Sequence, residues 1–397
     1  MKKALVLTAA VVAVSVLLLG GCSKNAEKTI NIGFIGPLTG DAANYGKLMT
    51  QAIKIAVEER NNSGGIGGMK VNFIAEDSEG KVDKANAAME KLASVDHVWG
   101  IVGAVFSSSS LAVAPKAQAE KIVMISPSST HKDLTNIGNY IFRDVASDGL
   151  QADVFGRYVA EVMNIKTVAT LYTKNDYSQG LAIGFKSAYE AAGGKVVDEE
   201  TGLQGDKDFK TQLTKIKAAN PEAIYLPNYV AEIEQCLDQI KQLGINAKIL
   251  SSDGFSNPEV LSVSGANANG VVFSGPEESA KSAKTTAFES AYNSKWGEDP
   301  DAFSLNSYDA ANLIMDAIQT AYDKASDADK KALKLDRETI RGTIAGTKDY
   351  AGVSGTITFA SSNGDVIKNI GISTVENQKF KQVDVYTVID GQLKKVL

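Results

Sequence analysis

Two short stretches carry more hydroxyl groups than a protein core can use. Residues 103–115, GAVFSSSSLAVAP, end an apolar run in Ser107, Ser108, Ser109 and Ser110. Residues 123–130, VMISPSST, end another in Ser126, Ser128, Ser129 and Thr130. A strand end that leads into a helix leaves backbone N–H groups unpaired, and neighbouring hydroxyls add donors, so such a corner suits an anion of carboxylate size. Either stretch alone also reads as helix caps and solvated turn residues. Two neighbouring strand ends with the same composition favour a site.

A second set of strand ends has the opposite preference. ILSSDGF ends in Asp253, an acceptor for a cation, although an Asp-Gly pair alone is often a turn. Tyr45 in GDAANYGK, Tyr177 in KNDYSQG and Tyr229 in LPNYVAE also follow apolar runs, where a phenol offers a cleft both a ring and a polar tip. Hydroxyls and amides for a carboxylate, a carboxylate for an ammonium, and rings between them are together suited to a small zwitterion.

Other chemistries find less support. GDAANYGKL has one residue too many between its glycines for a phosphate loop, and Leu48 stands where a magnesium-binding hydroxyl is required. GGIGGMK follows a helix and precedes a strand, the reverse of a dinucleotide fingerprint, and reads as a helix-ending turn. No G-x-S-x-G elbow is present, and His97 and His131, the only histidines, have neither a serine to activate nor a metal-ligand companion at usable spacing. No enzyme activity, metal or cofactor is therefore expected. A net charge of -6 without a basic stretch argues against a nucleic-acid partner.

The elements that must position these residues alternate. INIGFIG, KVNFIAED, VWGIVGAV and IVMIS read as strands separated by amphipathic helical stretches such as NYGKLMTQAIKIAVEERNN. A second series runs from TVATLYT through KVVDEET and AIYLPN to AKILSSD, again with helices between. Two long helical patterns and a glycine-rich, β-like ending complete the chain. The expected fold is α/β, with two doubly wound parallel-sheet lobes. Cys236 lies on the apolar face of a helix with Ile233, Leu237 and Ile240, and is expected to be a buried free thiol.

The N-terminus reads as a targeting segment. MKK precedes the uncharged, mostly apolar run Ala4 to Leu19, short of the roughly 20 residues of a membrane span and suited to a secretory signal. It ends in LGGC, which resembles the lipobox of bacterial lipoproteins and makes Cys22 the expected lipidation site. Residues 1–21 are then the signal peptide and 22–28 a tether.

With IGFIGPLTGDAANYG, NNSGGIGG, IVGAVFSSSSLAVAP, ISPSST, IFRDVASD, KNDYSQGLA and SSDGF in this order, nearly the whole mature chain resembles the branched-chain amino acid binding proteins of ABC transporters, a family of type I periplasmic binding proteins. The resemblance implies two lobes joined by hinge strands, 29–147 plus 275–368 and 148–274 plus 369–397, closing on the ligand. It assigns Ser107 and Thr130, with backbone groups near Ser128 and Ser129, to the α-carboxylate, and Tyr229 and Asp253 to the α-ammonium. It makes Tyr45, Phe106, Tyr177 and Phe303 the side-chain pocket. The implied function is an extracytoplasmic, lipid-anchored binding protein that captures leucine, isoleucine or valine and delivers it to a membrane permease, working as a monomer. A same-fold binder of another amino acid, an amide or a small carboxylate, or a sensor module, is the alternative. Asp253 replaces the glutamate frequent at its position in the family, and Ser78 and Phe106 stand where some members have a disulfide.

Overall fold

The structure, a computed structural model, describes residues 28–278, 281–360 and 363–396. The signal segment and Cys22 lie outside the described residues. The chain builds two sheets with the same parallel core order. The first runs β2-β1-β3-β4-β5, from β1 (Ile30–Gly36), β2 (Val71–Asp77), β3 (Gly100–Gly103), β4 (Val123–Ser126) and β5 (Ile141–Arg143). The second contains β7-β6-β8-β9-β10, from β6 (Thr167–Thr173), β7 (Lys195–Gly202), β8 (Ala223–Leu226), β9 (Lys248–Ser251) and β10 (Val272–Pro276).

Each sheet is covered on both faces, which is why its inner parallel strands, such as β1, β3, β4, β6 and β8, are mostly buried apolar runs rather than alternating ones. In the first lobe, α1 (Ala43–Asn62) and α10 (Ala302–Lys324) pack together on one face, while α2 (Val82–Ser94) and α3 (Ser107–Ala119) cover the other. In the second lobe, α4 (Asp148–Arg157) and α5 (Asp176–Ala191) cover one face and α6 (Lys210–Ala219) and α7 (Val230–Gln242) the other. Cys236 is buried in α7 and unpaired, and burial pushes its thiol pKa up. The other α-helices among the described residues are α8 (Glu259–Ser264) in the second lobe, then α9 (Ala283–Trp296), α11 (Asp327–Ala332) and α12 (Arg337–Ala345) between β10 and the C-terminal strands.

The second sheet departs from the all-parallel expectation. Beyond β10 it continues antiparallel through β13 (Ile370–Glu376), β14 (Lys379–Ile389) and β15 (Gln392–Lys395), while β11 (Tyr350–Ala351) and β12 (Thr356–Ile357) form a small separate ladder. The cause is local. Asn377 and Gln378 (φ 51° and 57°) and Asp390 and Gly391 (φ 51° and 70°) form two-residue turns with left-handed backbone, which suit a hairpin and leave no length for a parallel crossover. The chain passes between the lobes after Arg143, after Pro276 and before Ile370.

Candidate ligand-binding cleft

In a parallel sheet of this order, the helices after the first strand and after its inner neighbour leave on opposite faces, and a crevice opens at the strands' carboxyl ends. Both lobes have that crevice, and the four helices that flank the two crevices each carry an aromatic residue at their start. Tyr45 lies in the first turn of α1, Phe106 caps α3, Tyr177 is the second residue of α5 and Tyr229 caps α7. The two crevices face one another, and the rings meet across the gap. Phe106 stacks on Tyr229 with centroids 4.2 Å apart, Tyr229 stacks on Tyr177 at 4.8 Å, and Tyr45 stands edge-on to Phe106 at 5.6 Å.

The conformer is closed. The Tyr45 hydroxyl donates to the Gly254 carbonyl at 2.9 Å, Asn44 Nδ2 to Asn257 Oδ1 at 3.0 Å, and the Asp176 amide to Ser108 Oγ at 3.3 Å. At the exposed mouth, Lys207 and Asp41 pair at 2.8 Å. Each of these bonds joins one lobe to the other.

On the first lobe's jaw, the serine-rich corners divide their labour. Ser126 and Ser110 donate to the Ala104 carbonyl at 2.7 and 2.9 Å, and Ser128 to the Val105 carbonyl at 2.8 Å. Ser129 lies within 3.1 Å of both carbonyls and 2.5 Å of Ser110 Oγ, and its amide donates to Ser126 Oγ. The side chains of Ser128 and Ser129, grouped with the ligand contacts from sequence, therefore hold the two corners together, because their hydroxyls point at backbone carbonyls of the adjoining strand end. Ser107 differs. It is 2% exposed, and its Oγ has no hydrogen-bond partner among the described residues, beside the free first-turn amides of α3.

Thr130 is held by its backbone. Its carbonyl accepts the Asp148 amide at 2.7 Å and Arg143 Nη1 at 2.8 Å. Arg143 is fully buried and also donates to the His131 carbonyl at 2.7 Å and, through Nε, to Asp365 Oδ1 at 2.6 Å. One guanidinium thus ties the Thr130 loop to the hinge.

On the second lobe's jaw, Asp253 opens a single turn of 3-10 helix after β9 and is 3% exposed. Its Oδ1 accepts from Tyr177 Oη at 2.7 Å and Gln151 Nε2 at 2.9 Å. Burial pushes its carboxyl above the usual range, and the bonds from Tyr177 and Gln151 oppose that shift. Gly254 must be glycine: a Cβ there would lie 2.4 Å from the Asn228 carbonyl oxygen and 2.9 Å from Tyr177 Oη.

A second carboxylate, which sequence reasoning missed, stands in the same place. Asp148 begins α4 and is buried; burial raises its pKa well above the normal range and the charge of Asp253 raises it further, while neither its carboxylate oxygens nor Thr130 Oγ1 has a hydrogen-bond partner among the described residues. Thr130 and Asp253, from opposite lobes, line one small cavity together with Gln151 and the hinge residues Pro276 and Lys368, and none of the aromatic residues lines it. Phe303, at the start of α10, is buried in the core and makes no ring pair with the four cleft aromatics. The only hint of Asp148 and Gln151 in the sequence is that an acid and an amide one turn apart open a helix.

Two α/β lobes, hinged by several crossings and closed over paired strand-end crevices, define a solute-binding protein of the cleft-closing kind. The chain belongs to the periplasmic binding protein family, whose model matches residues 29–379. It is 31% identical over 321 residues to a leucine-, isoleucine-, valine-, threonine- and alanine-binding protein of Pseudomonas aeruginosa, spanning 80% of this chain and 86% of that one. It is similar to the branched-chain amino acid transporter substrate-binding protein of Streptococcus pneumoniae solved in complex with isoleucine, at 31% identity and TM-score 0.80, covering 90% of this chain and 99% of that one. A leucine-binding protein of Thermotoga maritima aligns with TM-score 0.81 at 29% identity, covering 90% and 98% of the two chains. Among the described residues, no helix is long and apolar enough to cross a membrane.

Proposed function

We propose that this protein captures a free aliphatic α-amino acid, of the leucine, isoleucine and valine class, between its lobes and presents it to the membrane permease of an ABC transporter. The observation that carries the reading is the meeting of Thr130 and Asp253 on one cavity, with Asp148 beside Thr130. In this reading, which departs from the resemblance by moving Thr130 from the carboxylate to the ammonium and Tyr229 from the ammonium to the apolar surroundings, the ammonium sits among Asp253, Asp148 and the Thr130 hydroxyl. The carboxylate takes the Ser107 hydroxyl and the first-turn amides of α3. Tyr45, Tyr177 and Tyr229 supply the apolar surroundings. Burying a zwitterion is unfavourable unless each charge is met. Charge-assisted hydrogen bonds of roughly 1.5–3 kcal/mol each, and about 1.5–3 kcal/mol for an apolar side chain, offset that cost. The clamp is complete only when the lobes are together, so ligand shifts the population toward the closed form, and the permease reads that form.

The same reading places the protein outside the bacterial membrane as a monomer, held to it by lipid on Cys22 and the short polar segment that follows. A thermal-shift screen of the twenty standard amino acids against soluble protein starting after Cys22 tests the function. Leucine, isoleucine or valine should raise the melting temperature; no shift with any amino acid contradicts it.

A further inference from the structure

Phe106 immediately precedes Ser107, with extended backbone (φ −94°, ψ 144°) that turns its ring out of α3 and across the cleft. The ring is stacked on Tyr229 of the opposite lobe at an interplanar angle of 25° and meets Tyr45 edge-on at 75°. Behind it lies Gly80, whose left-handed backbone (φ +69°) carries no side chain; a Cβ there would stand 3.2 Å from Phe106 Cε2. Phe106 therefore rests between the loop after β2, the start of α1 and the start of α7.

The neighbouring tyrosines are anchored differently. Tyr45 is fixed by its bond to Gly254, and Tyr177 by its bonds to Asp253 and the Gly254 amide. Phe106 has no polar atom, and only contact holds it. Of the rings in the gap, Phe106 and Tyr229 move without breaking a side-chain hydrogen bond, and of these two only Phe106 adjoins Ser107. The cavity beside the ammonium partners has a volume of about 20 Å³ and offers a growing side chain little alternative.

Resting on the amino-acid reading above and narrowing its ligand class toward valine, we propose that Phe106 is a built-in competitor for the ligand's side chain and sets the protein's preference for short ones. A ligand whose carboxylate bonds Ser107 brings its side chain beside the residue bonded to Ser107. Alanine, threonine and valine fit alongside the ring. Leucine and phenylalanine must displace it, which removes its stacking on Tyr229 and crowds the cleft.

The test is calorimetry with alanine, valine, leucine and phenylalanine on the natural protein, Phe106→Ala and Phe106→Leu, the last keeping most of the apolar fill should the alanine variant fail to fold. The natural protein is expected to bind alanine and valine at least about tenfold more tightly than leucine, a discrimination in the range of one or two methylenes in an apolar pocket. Phe106→Ala should tighten leucine and phenylalanine by about tenfold relative to alanine, with Phe106→Leu between the two. Leucine as the tightest ligand of the natural protein, or an equal loss for all four ligands in the variants, would overturn the proposal and make the ring a pocket wall. Absence of binding by every amino acid to the natural protein would instead remove the amino-acid reading, and this proposal with it.

Discussion

The Tyr177 hydroxyl donates to Asp253 Oδ1 at 2.7 Å and is itself 2.8 Å from Ser252 Oγ and from the Gly254 amide nitrogen. Its single proton goes to the carboxylate, so Ser252 and Gly254 donate to the phenol oxygen. The relay fixes one carboxylate oxygen from behind, as a pre-formed cation site requires. Asp253→Ala is therefore expected to weaken amino-acid binding at least about tenfold, and Tyr177→Phe, which keeps the ring and loosens the carboxylate, by about threefold to tenfold. Titration calorimetry checks both.

Closure has its own hydrogen bond. Tyr45→Phe removes the bond to the Gly254 carbonyl and keeps the edge-on contact with Phe106. A net loss of about 0.5–1.5 kcal/mol in the closed form is expected, read as a roughly twofold to tenfold weaker affinity for every ligand alike. Small-angle scattering should show a larger open fraction in the ligand-free variant.

Arg143 is a structural centre of the hinge. Replacing it with methionine removes one of the two donors to each of the Thr130 and His131 carbonyls and leaves the Asp365 carboxylate without its pair. The Asp365 carboxylate left behind is 30% exposed and partly solvated, so the cost is about 1–3 kcal/mol. Urea unfolding should record a loss of that size, with ligand affinity falling because the Thr130 loop loosens.

The hinge also carries a pH dependence. Burial pushes the Asp144 carboxyl up to about 6, although Lys368 Nζ, 2.8 Å away, pulls it down. Its folded pKa lies above the unfolded value of about 3.9, so the folded state holds the extra proton, and stability falls as pH rises from about 4 to about 6. The difference corresponds to about 3 kcal/mol, and burial of Asp148 and Asp253 acts with the same sign. Urea midpoints of the ligand-free protein across this window should decline more steeply than those of Asp144→Asn; equal slopes would remove Asp144 as the cause.

Much of the architecture was legible because a doubly covered parallel sheet writes itself as apolar runs separated by amphipathic helices, and both lobes do this. The antiparallel continuation through β13, β14 and β15 was visible only as β-like character, because a strand's direction depends on turns such as Asn377-Gln378 and on the partner it meets. At the cleft, strand ends rich in hydroxyls announced polar corners, but not which hydroxyls would face inward: Ser129 and Ser107 are of one type, and their roles differ by the direction of one bond. Asp148 was hidden because FRDVASDGLQ reads as a connection, and only burial against Thr130 and Asp253 gives its carboxylate meaning. The bond from Asn44 to Asn257 joins residues 213 apart, a proximity that no local pattern contains.

The most direct test of the two-sided clamp is to remove one end of the ligand at a time. Calorimetry would compare valine with 3-methylbutanoate, which lacks the ammonium, and with isobutylamine, which lacks the carboxylate. The account predicts that each analogue loses at least about a hundredfold in affinity, because each leaves buried partners in the opposite jaw unmatched. Binding of 3-methylbutanoate as tight as that of valine would contradict it, since Asp253 and Asp148 would then have no cation to meet.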